Sequence, residues 1–372
     1  MTQFYPISQP SLTSLETEYV TRAIESGWIS SIGEYVDAFE EGFARFVGVE
    51  HAIVVSNGTV ALHLALAALG IGRGDEVIVP DLSFIATANA VLTCGATPVF
   101  ADVDQENLCL SPLDLERCLT THTRAIIPVH LYGHPADMAA INAFAERHGL
   151  VVIEDAAEAH GASIGGRKVG SFGHCAAFSF YGNKLLTSGE GGMLTTSDAH
   201  FAARCRKLRD HAMSTTRRYW HDEPGYNYRI TNLQAAVGCA QLARADELIG
   251  GRKQIFEWYC ECLNQLPDIT VNRTSVWADP VRWLMCVEID ELNDGRRSDL
   301  MLRLKKRGVD TRPYFYPMSD MPYFGRAETP VAHAVSERGL SLPTYIGLDK
   351  EDVAAISGML KDELMNLRLL SR

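Results

Sequence analysis

The 372-residue chain is 47% hydrophobic and 22% charged, an ordinary globular balance with room for one large and one smaller domain. Its net charge of -12 argues against the basic face that nucleic-acid binding needs. No apolar run reaches membrane-spanning length, the first residues lack a signal-peptide pattern, and nine scattered cysteines fit a reducing cytoplasm. Cys260 and Cys262 form the one close pair, a poor zinc signal, so no metal site is expected.

Glu34 to Phe46 sets Tyr35, Phe39, Phe43 and Phe46 at three- and four-residue spacing, which predicts an amphipathic helix capped near Gly48. Before it, Gly27-Trp28-Ile29-Ser30-Ser31 is a small-residue loop carrying a Trp, open to reading as a packing loop or a site loop. Ala52 to Val55 predicts a strand, Ser56-Asn57-Gly58-Thr59 a polar turn, and Val60 to Leu69 a helix. A helix start presents unpaired N–H groups and a positive dipole end, which favour a phosphate. Plain capping by Ser56, Asn57 or Thr59 accounts for the same residues. Strand runs at 74–80, 98–101 and 125–129, with helical stretches at 86–94 and 141–148, predict a parallel sheet covered by helices on both faces.

The stretch from Val151 to Thr196 holds two more apolar runs, 151–153 and 176–180. The first ends at Asp155; the second ends near Ser179 and is followed by Lys184 on a Gly- and Ser-rich loop. Ligands of open α/β sheets sit beyond the carboxyl ends of the strands. An acid and a lysine delivered there suit pyridoxal phosphate, the lysine carrying the cofactor and the carboxylate partnering its pyridinium nitrogen. Each residue alone reads equally as a turn cap or a surface charge. His160 reads as a structural residue or a supporting donor rather than an acid/base.

Residues 204–238 interleave Arg217, Arg218, Tyr219, Trp220 and His221 with a Gly225-Tyr226-Asn227-Tyr228-Arg229 block. In an acidic chain this suits a nucleotide sugar, with Arg for the diphosphate and aromatic faces for base or sugar. A buried alanine-rich helix follows at 231–242. Beyond 246, helices at 248–266, 299–307 and 350–369 with a strand at 281–289 predict a smaller α+β domain. Thr311 to Met318 is stiffened by two prolines and offers Arg312, Tyr314 and Tyr316 either to a sugar or to packing between domains.

Three blocks then carry a resemblance: Glu154-Asp155-Ala156-Ala157-Glu158-Ala159, Ser179-Phe180-Tyr181-Gly182-Asn183-Lys184 and Thr187-Ser188-Gly189-Glu190-Gly191-Gly192-Met193. With them the chain resembles the DegT/StrS sugar aminotransferases, fold type I pyridoxal phosphate enzymes, from Gly27 to Thr344. The resemblance implies an α/β large domain at 1–245 with an N-terminal arm and a mostly parallel seven-stranded sheet sandwiched by helices. A small α+β domain at 246–372 completes it. It also implies Gly58, Thr59 and Ser179 at the cofactor phosphate end, Phe84 against the pyridine ring and Glu158 near the phenolic oxygen. Asn227 would reach the cofactor of a partner subunit, so that a homodimer, alone or paired again, shares its sites. Trp28, Ser30, Arg217, Tyr314 and Tyr316 would face the nucleotide sugar. A related set of dehydratases replaces the lysine with histidine; Lys184 therefore favours transamination. The implied reaction moves an amine from L-glutamate to a nucleotide-linked 4-keto-6-deoxy sugar, GDP-4-keto-6-deoxymannose foremost. Other dTDP- or UDP-linked keto sugars, an eight-carbon sugar acid, and a non-catalytic binding or regulatory role of the same fold stay open.

Overall fold

The computed structural model describes residues 3–367, so the expected end of the last helix at Leu369 lies outside the described residues. The first half of the chain contributes β1 (His51–Val55), β2 (Glu76–Pro80), β3 (Thr97–Ala101), β4 (Thr123–Ile126) and β5 (Val151–Asp155). The short β6 (Ser163–Ile164) and β7 (Arg167–Lys168) follow, then β8 (Cys175–Ser179) and β9 (Gly192–Thr196). Seven of these form one sheet in the order β1-β9-β8-β5-β4-β2-β3. Only β9 runs against its neighbours; the remaining pairs are parallel. The mostly parallel seven-stranded sheet is therefore present.

Every residue of β8 and β9 is buried, as a sheet covered on both faces requires. On one face Ile53, Val77 and Leu194 pack with Leu62 and Leu66 of the helix Gly58–Ala68. On the other, Phe178 and Phe180 meet the aromatic stripe of the helix Glu34–Val47. There Phe39 lies 4.9 Å from Phe180 and Phe43 lies 4.9 Å from Phe178, edge to face in both pairs. That helix stops at Gly48, left-handed at φ 89°, as its spacing predicted.

The C-terminal part adds β10 (Ile269–Val271), β11 (Ala278–Asp279), β12 (Met285–Ile289), β13 (Arg312–Pro313) and β14 (Gly339–Leu342). Four of them form an antiparallel sheet ordered β10-β12-β14-β13, and β11 joins β6 and β7. Helices Ala245–Leu263, Asp294–Lys306 and Lys350–Asn366 accompany that sheet in a separate core, making the smaller domain. The strand expected from Val281 begins only at Met285, because the chain before it is irregular and Arg282 sits at φ 57°. The helix expected at 299–307 begins at Asp294, where the Asn293 side chain accepts the Arg296 N–H. The N-terminal arm reaches the smaller domain, with Tyr5 buried in its core and bridged to Val309. Among the described residues no helix is long and apolar enough to cross a membrane.

Candidate active site

Two adjacent parallel strands, β5 and β8, end side by side and deliver Asp155 and Ser179 to one edge of the sheet. A tight turn, closed by the Lys184 N–H on the Tyr181 carbonyl at 2.9 Å, brings Lys184 back to the same edge. Asp155 is 5% exposed and accepts a hydrogen bond from Thr87 Oγ1 at 2.7 Å and one from the Ala157 N–H at 3.2 Å. Burial pushes its carboxyl above the ordinary value, against those two hydrogen bonds and the Lys184 charge. Burial likewise pulls the Lys184 ammonium below its ordinary value, opposed by Glu158 and Asp155. The lysine is thus primed to lose a proton.

The turn before the helix Gly58–Ala68 lies flush on the same sheet edge. Asn57 Oδ1 caps Val60 N at 3.0 Å, while the N–H groups of Gly58 and Thr59 have no partner within the helix. A side chain at Gly58 would stand 2.8 Å from Ser179 Cβ, and one at Gly192 only 2.3 Å from the Asn57 carbonyl oxygen. These glycines allow the turn to close over the ends of β8 and β9, with Thr59 exposed and Ser179 beside it. Phe84, past the end of β2, is 55% exposed, with its ring 5.9 Å from Phe315. A helix start, an uncovered aromatic face, a buried acid and a largely covered lysine together match a planar cationic ring that carries a phosphate and an aldehyde. The residues present fit pyridoxal phosphate.

Glu158 joins Lys184 in this group, its Oε1 3.8 Å from Nζ. Its other oxygen accepts the Tyr132 N–H at 2.7 Å, and burial pushes the carboxyl up to about 7 despite Lys184. His160 is wholly buried at ring distances of 5.1 to 6.3 Å from Phe180, Phe178 and Phe43. Neither of its ring nitrogens has a hydrogen-bond partner among the described residues, and burial pulls it down to about 3. Burial thus keeps it neutral among those three rings.

The remaining expected contacts divide. Tyr316 is 49% exposed and open to a ligand, with the Arg297 guanidinium 5.4 Å from its ring centre. Tyr314, in contrast, is 2% exposed and packs into the core 5.1 Å from the Tyr132 ring. Its placement toward the sugar is corrected: Gly339, on the neighbouring strand, has no side chain and leaves room for the ring to point inward. Trp28 is 56% exposed, and the backbone carbonyls of Trp28 and Ser30 both accept from Asn232. Arg217 is exposed with its guanidinium 4.2 Å over Trp220. Asn227 is exposed and accepts from Arg229 Nε at 3.1 Å, while Arg229 pairs with Asp210 at 2.8 Å. Among the described residues no hydrogen bond, ion pair or ring contact joins any of the four to Lys184 or Asp155.

Three residues that sequence reasoning passed over belong to the site. Thr87 orients Asp155, Tyr132 anchors Glu158, and the Lys184 Nζ stands 3.9 Å over the Trp283 ring. No local pattern marks them, since their partners lie far along the chain.

A model of the DegT/DnrJ/EryC1/StrS aminotransferase family matches residues 10–361. The chain is 45% identical over 363 residues to GDP-perosamine synthase of Caulobacter vibrioides, covering 96% of this chain and 98% of that one. It is 44% identical over 356 residues to GDP-perosamine synthase of Escherichia coli O157:H7, covering 95% and 97%. Among solved structures, Spr1654 of Streptococcus pneumoniae in its PLP form superposes with a TM-score of 0.93 at 25% identity, covering 99% of this chain and 100% of that one. The fold, the site and these likenesses agree: the chain belongs to the DegT/DnrJ/EryC1/StrS aminotransferase family.

Proposed function

We propose that the protein transfers the amine of L-glutamate to the C4 ketone of GDP-4-keto-6-deoxymannose, giving GDP-perosamine and 2-oxoglutarate, with pyridoxal phosphate held on Lys184. What supports the chemistry is a buried acid at the end of β5 and a largely covered lysine on the turn after the neighbouring β8, beside a glycine-opened helix start. The choice of sugar is supported by likeness to GDP-perosamine synthases over nearly the whole chain.

Pyridoxal phosphate, when bound, supplies the electron sink that lets a carbon beside nitrogen lose its proton. The chain's own residues do the rest. The Gly58 and Thr59 N–H groups and Ser179 bind the phosphate, and Phe84 offers its exposed face to the ring. Asp155, steadied by Thr87, holds a proton on the ring nitrogen through a charge-assisted hydrogen bond. Lys184 Nζ, with its affinity for protons reduced by burial, takes the proton from Cα of glutamate and later returns one to C4 of the sugar. Arg217 and Trp220 serve the diphosphate and base, Tyr316 the sugar, and Trp28 and Ser30 the loop beside them. Asn227 completes the phosphate site of a second copy, so the working unit is a homodimer. Borohydride reduction followed by peptide mass analysis tests the cofactor's attachment. A pyridoxyl mass on the Lys184 peptide supports the reading, and its appearance on any other lysine refutes it. Supplying GDP-, dTDP- and UDP-linked 4-keto sugars in parallel then tests the acceptor, with turnover expected to favour the GDP sugar.

A further inference from the structure

Trp283 belongs to the stretch leading into β12, yet its ring reaches the lysine at the large sheet's edge. It is 4% exposed and fixed on three sides. The indole N–H donates to the Asn183 carbonyl at 2.8 Å, one residue before Lys184, and that carbonyl also accepts from Ser8 Oγ at 3.3 Å. Its backbone carbonyl accepts from the buried Arg252 at 3.1 Å. Its ring lies nearly parallel to Tyr132, at 22° with centres 6.4 Å apart. The Lys184 Nζ stands 3.9 Å over this ring, with Glu158 Oε1 3.8 Å away. The amine therefore rests between an aromatic face and a carboxylate, each locked by its own hydrogen bonds.

We propose that Trp283 is a positioning residue that seats the amine of Lys184 whenever that amine is not bonded to the cofactor. The proposal rests on the transamination reading and deepens it. Each half-reaction frees the lysine, and a four-carbon chain left to itself spreads over many rotamers. An indole face attracts the ammonium form and keeps it within reach of the atoms whose protons it moves. Other groups act on the same amine. Asp155, at the end of β5, and Glu158, beyond it, favour its charge; His160 is neutral there, and Tyr132 donates its N–H to Glu158 and sets its ring against Trp283. Removing the ring removes one of the forces that favour the cation, so the amine should titrate lower.

The test uses the full-length chain freed of cofactor, with Lys184 carbamylation by cyanate followed by peptide mass analysis across pH. In Trp283→Leu the midpoint of labelling is expected to fall by about half a pH unit, and in Trp283→Phe, which keeps an aromatic face, by much less. Fluorinated tryptophans in the wild-type chain weaken the ring face with little change of shape, and should lower the midpoint stepwise with fluorine number. That series stands even where a substitution unfolds the protein. An unchanged midpoint across the fluorine series, or equal shifts in Leu and Phe, overturns the proposal. A chain that shows the shift but never takes up pyridoxal phosphate keeps the seat and refutes the transaminase reading. One that transaminates with no shift does the reverse.

Discussion

Glu158 and His160, two residues apart, are both buried, and burial drives their titrations in opposite directions. Glu158 is pushed up to about 7, so it changes charge where the protein works. Glu158→Gln fixes a neutral group in its place, and the inflection near neutral pH in kcat should disappear while the fold is kept; a pH–rate profile of both proteins checks it. His160 is pulled down to about 3, whereas in the unfolded chain it binds a proton near 6.5. The stability associated with its neutral form is present above that value and is lost as pH falls. At pH 4 the loss is on the order of 3 kcal/mol, so His160→Phe should flatten the acid side of a stability–pH curve from urea melts. Asp155 and Lys184 were legible because each follows an apolar run whose strand end is visible in the sequence. Thr87 was not, being 68 residues from the carboxylate it orients. Tyr314 and Tyr316 share a face only in a continuous strand; β13 ends at Pro313, and after the bond from the Tyr314 N–H to the Gly339 carbonyl the chain leaves β14.

At the level of elements, the sheet was readable from apolar runs separated by helical spacing, and the parallel order followed from βα alternation. The helices Ser14–Glu25 and Ala199–Arg209 were passed over because charges interrupt their apolar faces. The strand β9 was passed over as well, lying in a Gly-rich stretch that also reads as loop. No sequence pattern announced how the smaller domain is fastened to the sheet edge. Asp81, at the end of β2, accepts from Ser319 N and Ser319 Oγ, both at 2.7 Å, and from Thr329 Oγ1. Asp102, past β3, accepts from the first N–H groups of the helix Pro330–Arg338, Val331 at 3.0 Å and Ala332 at 2.9 Å. Asp81→Ala leaves those buried donors without their carboxylate and should cost about 3 kcal/mol by thermal melting. It should also raise KM for the sugar, because Tyr316 lies on the segment so held. Gly58→Ala brings a methyl to 2.8 Å from Ser179 Cβ. Its expected effect is weaker retention of pyridoxal phosphate on dialysis together with a lower melting temperature, because the turn can no longer close on β8.

Across the whole molecule, large apolar side chains are left uncovered on the loop before the helix Glu34–Val47 and on the segment around Tyr219. Trp28 and Ile29 are 56% and 52% exposed, Ile32 is 64%, and Tyr219 is 76%. Such a set is ordinarily covered by another surface. A second copy that brings Asn227 to the cofactor phosphate would cover it and complete the site. Mixed dimers test this: Lys184→Ala and Asn227→Ala chains, each inactive alone, should regain about a quarter of wild-type activity after random mixing, since each heterodimer holds one intact site. No recovery would place both residues in the same chain's site. The central claim is that Lys184 carries a cofactor that ferries the amine from glutamate to the GDP sugar. Its most direct measurement loads wild type and Lys184→Ala with pyridoxal phosphate, adds L-glutamate, and then adds GDP-4-keto-6-deoxymannose. Visible absorbance and product mass are followed throughout. Wild type should lose its visible band with release of 2-oxoglutarate, then regain it as GDP-perosamine forms, and Lys184→Ala should do neither. A wild-type spectrum indifferent to glutamate, or a Lys184→Ala protein that turns over like wild type, would contradict it.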